Sequence, residues 1–278
     1  MKAWILAIAL FAGACATTPP PPPPVIDTAA LTFDGVRLDP GGTIDPALLR
    51  EALASYQRHY GTVKRDTRIF DLPGRRIESE VSPIRRDVLA VVDYRISSAA
   101  NRFFLVDTST GAVAGYLVAH GRNSDPAGDP AGLAPLTRLD TKSGAVRASN
   151  RLDSNMSAVG AYVAANIYND GIAPGSVRLH GLDSTNSCSY WRAIVMHQGH
   201  NMTPDPATGD TGTSNGCLVV EIDKRPEIAA RIADGGFIYA GPASLHLPSV
   251  ADGLASQQAC EAVRLKPELG PQPIPPAP

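Results

Sequence analysis

Cys217 opens an apolar run, Leu218-Val219-Val220, directly after the small polar turn Thr213-Ser214-Asn215-Gly216. A cysteine used only for packing can sit anywhere along a buried strand, whereas one at the exit of a tight turn is held where a substrate can reach it. His197 ends a second apolar run, Ala193-Ile194-Val195-Met196, and a Gly-, Pro-, Asp- and Thr-containing loop from Gln198 to Ser214 separates the two. Attack of a thiolate on a carbonyl needs a nearby base and backbone donors for the oxyanion. Strand-end residues on adjacent strands joined by a hairpin-like loop would satisfy the first need. The amides of Gly216 and Cys217, aimed at one point by the Asn215-Gly216 turn, would satisfy the second. The competing reading of Cys217 is a buried or disulfide-bonded cysteine. A zinc site from His197, His200, Cys188 and Cys217 matches no ligand spacing well, and Asp205 and Asp210 most simply keep their loop solvated.

The elements that must position these residues read as mainly β. Val88 to Tyr94, Arg102 to Asp107 and Ala112 to Ala119 are strands in sequence, with Thr108-Ser109-Thr110-Gly111 as a turn, which predicts a β-meander ending at His120-Gly121. Further strands fit Ser176 to Leu179, Ala193 to Met196, Cys217 to Ile222 and Gly236 to Tyr239. Asp45-Pro46, followed by apolar positions at Leu49, Ala52 or Leu53, Tyr56 and Tyr60 and stopped by Gly61, predicts an N-terminal packing helix. Glu227 to Ala233 is a short helix, and the Gly/Pro-rich stretch Arg122 to Asn150 reads as a functional loop.

His197, sixteen residues and then Ser214-Asn215-Gly216-Cys217 resemble the signature of bacterial L,D-transpeptidases. Asp93-Tyr94, Arg102 to Asp107, Val118-Ala119-His120-Gly121, Ser149-Asn150, Arg178 to Leu182 and Arg192 to His197 extend the similarity to murein L,D-transpeptidase catalytic domains, over roughly residues 85 to 241. The resemblance implies an L,D-transpeptidase-like β-sandwich or meander. It also implies a cysteine acyltransferase acting on peptidoglycan stem peptides, with Cys217 as nucleophile and His197 as a base oriented by a backbone carbonyl. A thioester would form with loss of a terminal D-amino acid, and a second stem's amine would resolve it into a 3→3 cross-link. Hydrolysis of the same thioester, as an L,D-carboxypeptidase or a wall-protein-releasing enzyme, is the first alternative; a non-catalytic peptidoglycan-binding lipoprotein is the second. No metal or cofactor is implied. His120, Gly121, Gly199, Ser214 and Asn215 fall where substrate contacts are expected, while His180 and His200 read as non-catalytic. Asn215 stands where many relatives have histidine, the arginine or asparagine frequent just after the cysteine has no equivalent in Leu218-Val219-Val220, and Gln198 precedes the glycine expected directly after the histidine. These departures bear on acceptor choice.

The 278 residues carry 25 basic and 27 acidic side chains without long runs of one sign, which gives no electrostatic case for nucleic acid. Met1-Lys2, an apolar stretch to Phe11 and Ala12-Gly13-Ala14-Cys15 read as a secretory signal over residues 1–15 with a lipobox-like end. Ala14-Cys15-Ala16 also fits an ordinary cut. Pro19 to Pro24 makes a stiff spacer of about 20 Å. The expected organisation is then a tether over 16–34, a helical extension over 35–84, a catalytic domain over 85–245 and a proline-rich tail over 246–278. Export to the periplasm is expected, with contact to a membrane only through a lipid on Cys15 or the signal, and the outer membrane is favoured because Ala16 is not aspartate. Cys188, Cys217 and Cys260 remain in the mature chain. If Cys217 is free, the other two are the only pair, and a disulfide between them would tie the tail to the domain.

Overall fold

Val88-Leu89-Ala90-Val91-Val92 is apolar at every position, the pattern of a strand covered on both faces rather than one, and every residue of the strand it forms is buried. The computed structural model describes residues 22–69, 76–81, 83–125, 144–169, 173–204, 206, 211–254 and 260. The expected signal with Cys15, residues 16–21 of the tether, residues 126–143, Asp205, Asp210 and the tail beyond Cys260 lie outside them. Among the described residues no helix is long and apolar enough to cross a membrane.

Three short strands, β1 (Ile26–Asp27), β2 (Thr32–Phe33) and β3 (Val36–Arg37), precede the helix α1 (Pro46–His59) and a hairpin of β4 (Lys64–Ile69) and β5 (Arg76–Val81). Then come β6 (Val88–Asp93), β7 (Phe103–Asp107), β8 (Val113–Tyr116), β9 (Gly160–Tyr168), β10 (Ser176–Gly181), β11 (Val195–Gln198), β12 (Leu218–Val220), α2 (Arg225–Ile232) and β13 (Phe237–Gly241). The last eight strands form one sheet in the order β12-β11-β10-β9-β13-β6-β7-β8. Its β11–β12 and β13–β6 pairs are parallel and the others antiparallel. The mainly β expectation holds, and β6-β7-β8 is the meander.

Past β8 the chain crosses to the far edge of the sheet: Val118 bridges Val220, and the Ala119 amide donates to the Val219 carbonyl at 2.8 Å. The sheet thereby closes on itself. Its concave side wraps one core, with Val88, Ala90, Val92, Phe103, Leu218 and Ile228 among its members. The alternate residues, Leu89, Val91 and Phe104, face a second core supplied by Leu48, Leu49, Leu53 and Tyr56 of α1. A side chain of this size contributes roughly 1.5–3 kcal/mol when fully buried, so α1 is an integral layer of the domain.

Asp45 starts α1 as the spacing predicts. Its carboxylate accepts from the amides of Ala47 and Leu48 at 2.8 and 3.0 Å. Asp45→Ala is expected to cost about 1 kcal/mol, read as a lower urea midpoint at unchanged slope; an unchanged midpoint would deny the cap its role. The hairpin is fastened by His180 of β10, which donates from Nδ1 to Asp66 at 2.6 Å and accepts from Ser79 at 3.0 Å. Asp66 and Ser79 stand directly opposite in the hairpin, so one buried imidazole holds both of its strands. The segment 35–84 therefore carries this hairpin as well as its helix.

Three local expectations are corrected. The strand placed at Ala193 to Met196 begins at Val195, because Ala193 takes φ +57° within a turn that Ile194 closes by donating to the Ser189 carbonyl at 2.9 Å. The strand placed at Ala112 to Ala119 ends at Tyr116, where the chain turns away toward β12. The loop after His197 is no hairpin. It carries the chain over to a parallel neighbour, with Met196 opposite Leu218 and His197 opposite Val219.

Candidate active site

The parallel register puts His197, Val219 and Cys217 on one face of the β11–β12 pair, opposite to Met196 and Leu218, which enter the closed core. Val219 packs there with Leu117, Ala119 and Met202, and Cys217 lies against them, half-buried. The Cys217 thiol is free and donates to the Ala193 carbonyl at 3.5 Å, on the same face of the β11–β12 pair as His197. The Cys188 and Cys260 sulfurs are bonded at 2.09 Å.

His197 Nδ1 lies 2.7 Å from the carbonyl oxygen of Gln198. A carbonyl only accepts, so Nδ1 carries the proton and Nε2 is left with the lone pair. Gln198 is itself fixed, since its Oε1 accepts from Arg225 Nε at the start of α2, 3.1 Å away. Burial is the largest influence on both members of the pair, raising the thiol and lowering the imidazole. The hydrogen bond and charge between them outweigh it. Cys217 ends below the usual thiol value, helped by the Val195 amide and the Arg192 guanidinium, and His197 ends above the usual imidazole value. Both shifts favour the thiolate–imidazolium form.

Gly216 has φ +115°, and a Cβ there would fall 2.7 Å from the Met156 carbonyl oxygen. Only glycine suits both the conformation and the space. Ser214 staples the turn: its hydroxyl accepts from the Gly216 amide at 3.0 Å and donates to the Cys217 carbonyl at 2.8 Å. The Gly216 amide expected to face an oxyanion is thus already engaged inside the turn, which leaves that role to the Cys217 amide.

The expected substrate contacts divide. Asn215 is exposed beside the thiol, its Oδ1 accepting from Arg122 Nε and Nη2 at 2.9 and 2.5 Å. Gly199 donates its amide to the Val220 carbonyl at 3.1 Å and continues the parallel ladder. Ser214 and Gly121 are framework: they bridge each other, and the Gly121 amide donates to Ser157 Oγ at 2.9 Å. His120 is corrected outright as a cleft residue. At 0% exposure it accepts at Nδ1 from Arg102 and donates from Nε2 to Asp125, at 2.9 and 3.0 Å. Burial pushes its pKa down to about 4, against the pull of Asp125, so it stays neutral at working pH.

Two arginines supply what spacing alone did not assign. Arg102 is fully buried, donates to the Val118 carbonyl at 2.8 and 2.5 Å and to the Ile96 carbonyl at 2.7 Å, and pins the segment that closes the sheet. Arg192 lies beneath the Gly216 turn, donating to the carbonyls of Ser149 and Met156 at 2.6 and 2.5 Å. The signal available for both was a charged residue leading into an apolar run. Among the described residues no three His, Cys, Asp or Glu side chains are placed to hold a metal, and Cys188 is committed to its disulfide.

A closed, mainly β sheet thus presents a free thiol on the same face as a carbonyl-oriented histidine. The chain belongs to the L,D-transpeptidase catalytic domain family, whose pattern it matches over residues 74–240. No curated protein matches it. Among solved structures it is similar to an L,D-transpeptidase from Mycobacterium smegmatis, at 12% identity and TM-score 0.32, covering 66% of this chain and 68% of that one. It is also similar to one from Mycobacterium tuberculosis H37Rv, at 14% identity and TM-score 0.31, covering 76% and 89%. L,D-transpeptidase 3 from Mycobacterium tuberculosis, solved with a faropenem-derived adduct, gives 12% identity and TM-score 0.30 over the same shares.

Proposed function

We propose that this transpeptidase works through a thioester on Cys217 and joins peptidoglycan stem peptides by 3→3 cross-links. The observation that carries the proposal is the parallel register that sets the free Cys217 thiol and His197 on one face of the β11–β12 pair, with His197 Nδ1 committed to the Gln198 carbonyl. His197 Nε2 takes the thiol proton as sulfur attacks the carbonyl of the stem's L-residue. The Cys217 amide donates to the oxyanion. His197 returns the proton to the departing amine, the terminal D-amino acid leaves and the thioester remains. The amine of a second stem then loses a proton to His197, attacks the thioester and releases the thiol with its proton restored. Each proton moves through one nitrogen, which is why a fixed tautomer matters.

Export to the periplasm and lipidation at Cys15 complete the proposal, resting on the basic, apolar and small-residue order of the first fifteen residues. Incubation with purified disaccharide-peptide monomers is expected to give cross-linked dimers, released D-amino acid and a Cys217 acyl adduct visible by intact mass. Trimmed monomers without dimers would shift the assignment to hydrolysis. Binding with neither product nor adduct would leave only a wall-binding role. A carbapenem is expected to add its mass to Cys217 in the same measurement.

A further inference from the structure

The turn that presents Cys217 rests on an arginine whose hydrogen-bond partners are neutral. Arg192 lies in the bend between Cys188 and Ile194, where its amide donates to the Cys188 carbonyl at 2.8 Å. Its Nη1 donates to the Ser149 carbonyl at 2.6 Å, and its Nη2 donates to the Met156 carbonyl at 2.5 Å and to Ser154 Oγ at 3.2 Å. Carbonyls and a hydroxyl satisfy the N–H groups but do not cancel the charge. A Cβ on Gly216 would fall 3.1 Å from Arg192 Nη2 and 2.7 Å from the Met156 carbonyl oxygen, so guanidinium, carbonyl and turn converge on one point. Partly buried beneath the turn, such a charge acts on its neighbours with less screening than on an open surface.

We propose that Arg192 is the positioning residue of the nucleophile: it braces the Gly216-Cys217 turn from below and sets a positive charge beneath it, from the connection that precedes β11. This rests on the thioester reading of Cys217. The electrostatics agree in direction, since Arg192 is among the groups that lower the thiol, with a smaller effect than His197. The nearby Asp153 also acts on Arg192, so the relevant field is that of the two together and is expected to remain net attractive to the thiolate.

Arg192→Gln keeps amide donors for the carbonyls and removes the charge; Arg192→Lys keeps the charge and removes the fork. Iodoacetamide alkylation of Cys217 across pH, in protein with the Cys188–Cys260 bond intact, reads the thiolate without any substrate. Arg192→Gln is expected to raise the midpoint of that profile and to slow acylation by stem peptide at neutral pH roughly tenfold. Arg192→Lys is expected to hold the midpoint near that of the unmodified protein. A folded Arg192→Gln with an unchanged profile would overturn the proposal. Should that variant not fold, Arg192→Lys decides, because a midpoint raised to that of an ordinary thiol would equally overturn it. Failure of the thioester reading is separate: it shows as product from Cys217→Ala, whereas the alkylation profile needs no turnover.

Discussion

Cys217→Ala is expected to abolish adduct, D-amino acid release and cross-linked product together, while His197→Ala keeps a reactive thiol but turns over 10²–10⁴-fold more slowly at neutral pH, about the worth of a positioned general base. The two variants separate because they remove different things. Without sulfur no thioester forms. Without the imidazole the largest influences that lower the Cys217 thiol are gone, while the burial that raises it stays. The thiolate fraction then reaches one half at a higher pH, so the alkylation midpoint of His197→Ala moves upward and its rate near neutrality drops. At high pH, where the thiol ionises unaided, alkylation recovers although turnover does not, since the amine leaving group still lacks its proton donor. Undiminished product from Cys217→Ala would end the thioester mechanism; an unmoved alkylation profile in His197→Ala would mean that the hydrogen bond does not tune the thiol.

Opening the Cys188–Cys260 bond is expected to lower stability by about 4 kcal/mol, the chain-entropy value for a loop whose ends are 72 residues apart. The bond lies in a small cluster of its own with Leu152 and Ala251, packed by Trp191 and Leu254 and separate from both main cores. Nothing larger holds Cys260 to the domain among its described contacts. The Cys188→Ala/Cys260→Ala double variant avoids stray thiols, and chemical denaturation should place its midpoint well below that of the oxidised protein and level with that of the reduced one. The effect should also reach the site, because the Cys188 carbonyl accepts from the Arg192 amide. Equal midpoints with and without reductant would show that the bond contributes no stability.

What the sequence made legible was local. Asp45, Pro46 and the three-to-four spacing after them specify α1 within a single stretch, and the β6-β7-β8 meander follows from apolar runs joined by short turns. β9 escaped notice although it lies inside the sheet. Its Gly160, Ala161, Ala164 and Ala165 lack the β-branched character of a strand, and it is one because β10 and β13 flank it. The loop between His197 and Cys217 is long enough for a hairpin or a crossover. The choice falls to the parallel crossover, in which β12 also meets the returning chain at Val118 and Ala119. At the site, the spacing suggested a thiol near an imidazole, and the parallel register sets the two on one face of the β11–β12 pair. It could not place Arg102, eighteen residues before His120 in the chain, on the imidazole of that histidine. Ser214, by contrast, was within reach of local reasoning: a serine two residues before a glycine amide is a known competitor for that amide, and here it takes the donor first assigned to the oxyanion.

Closure of the sheet has a temporal consequence. The Val118–Val220 bridge joins positions roughly a hundred residues apart, and contacts of such separation form late because their loop entropy must be met first. Until that seam zips, β12 lacks its second neighbour and is held by β11 alone. The other two cysteines meanwhile have to find each other. The strand that introduces Cys217 therefore completes its pairing only when the domain has wrapped shut.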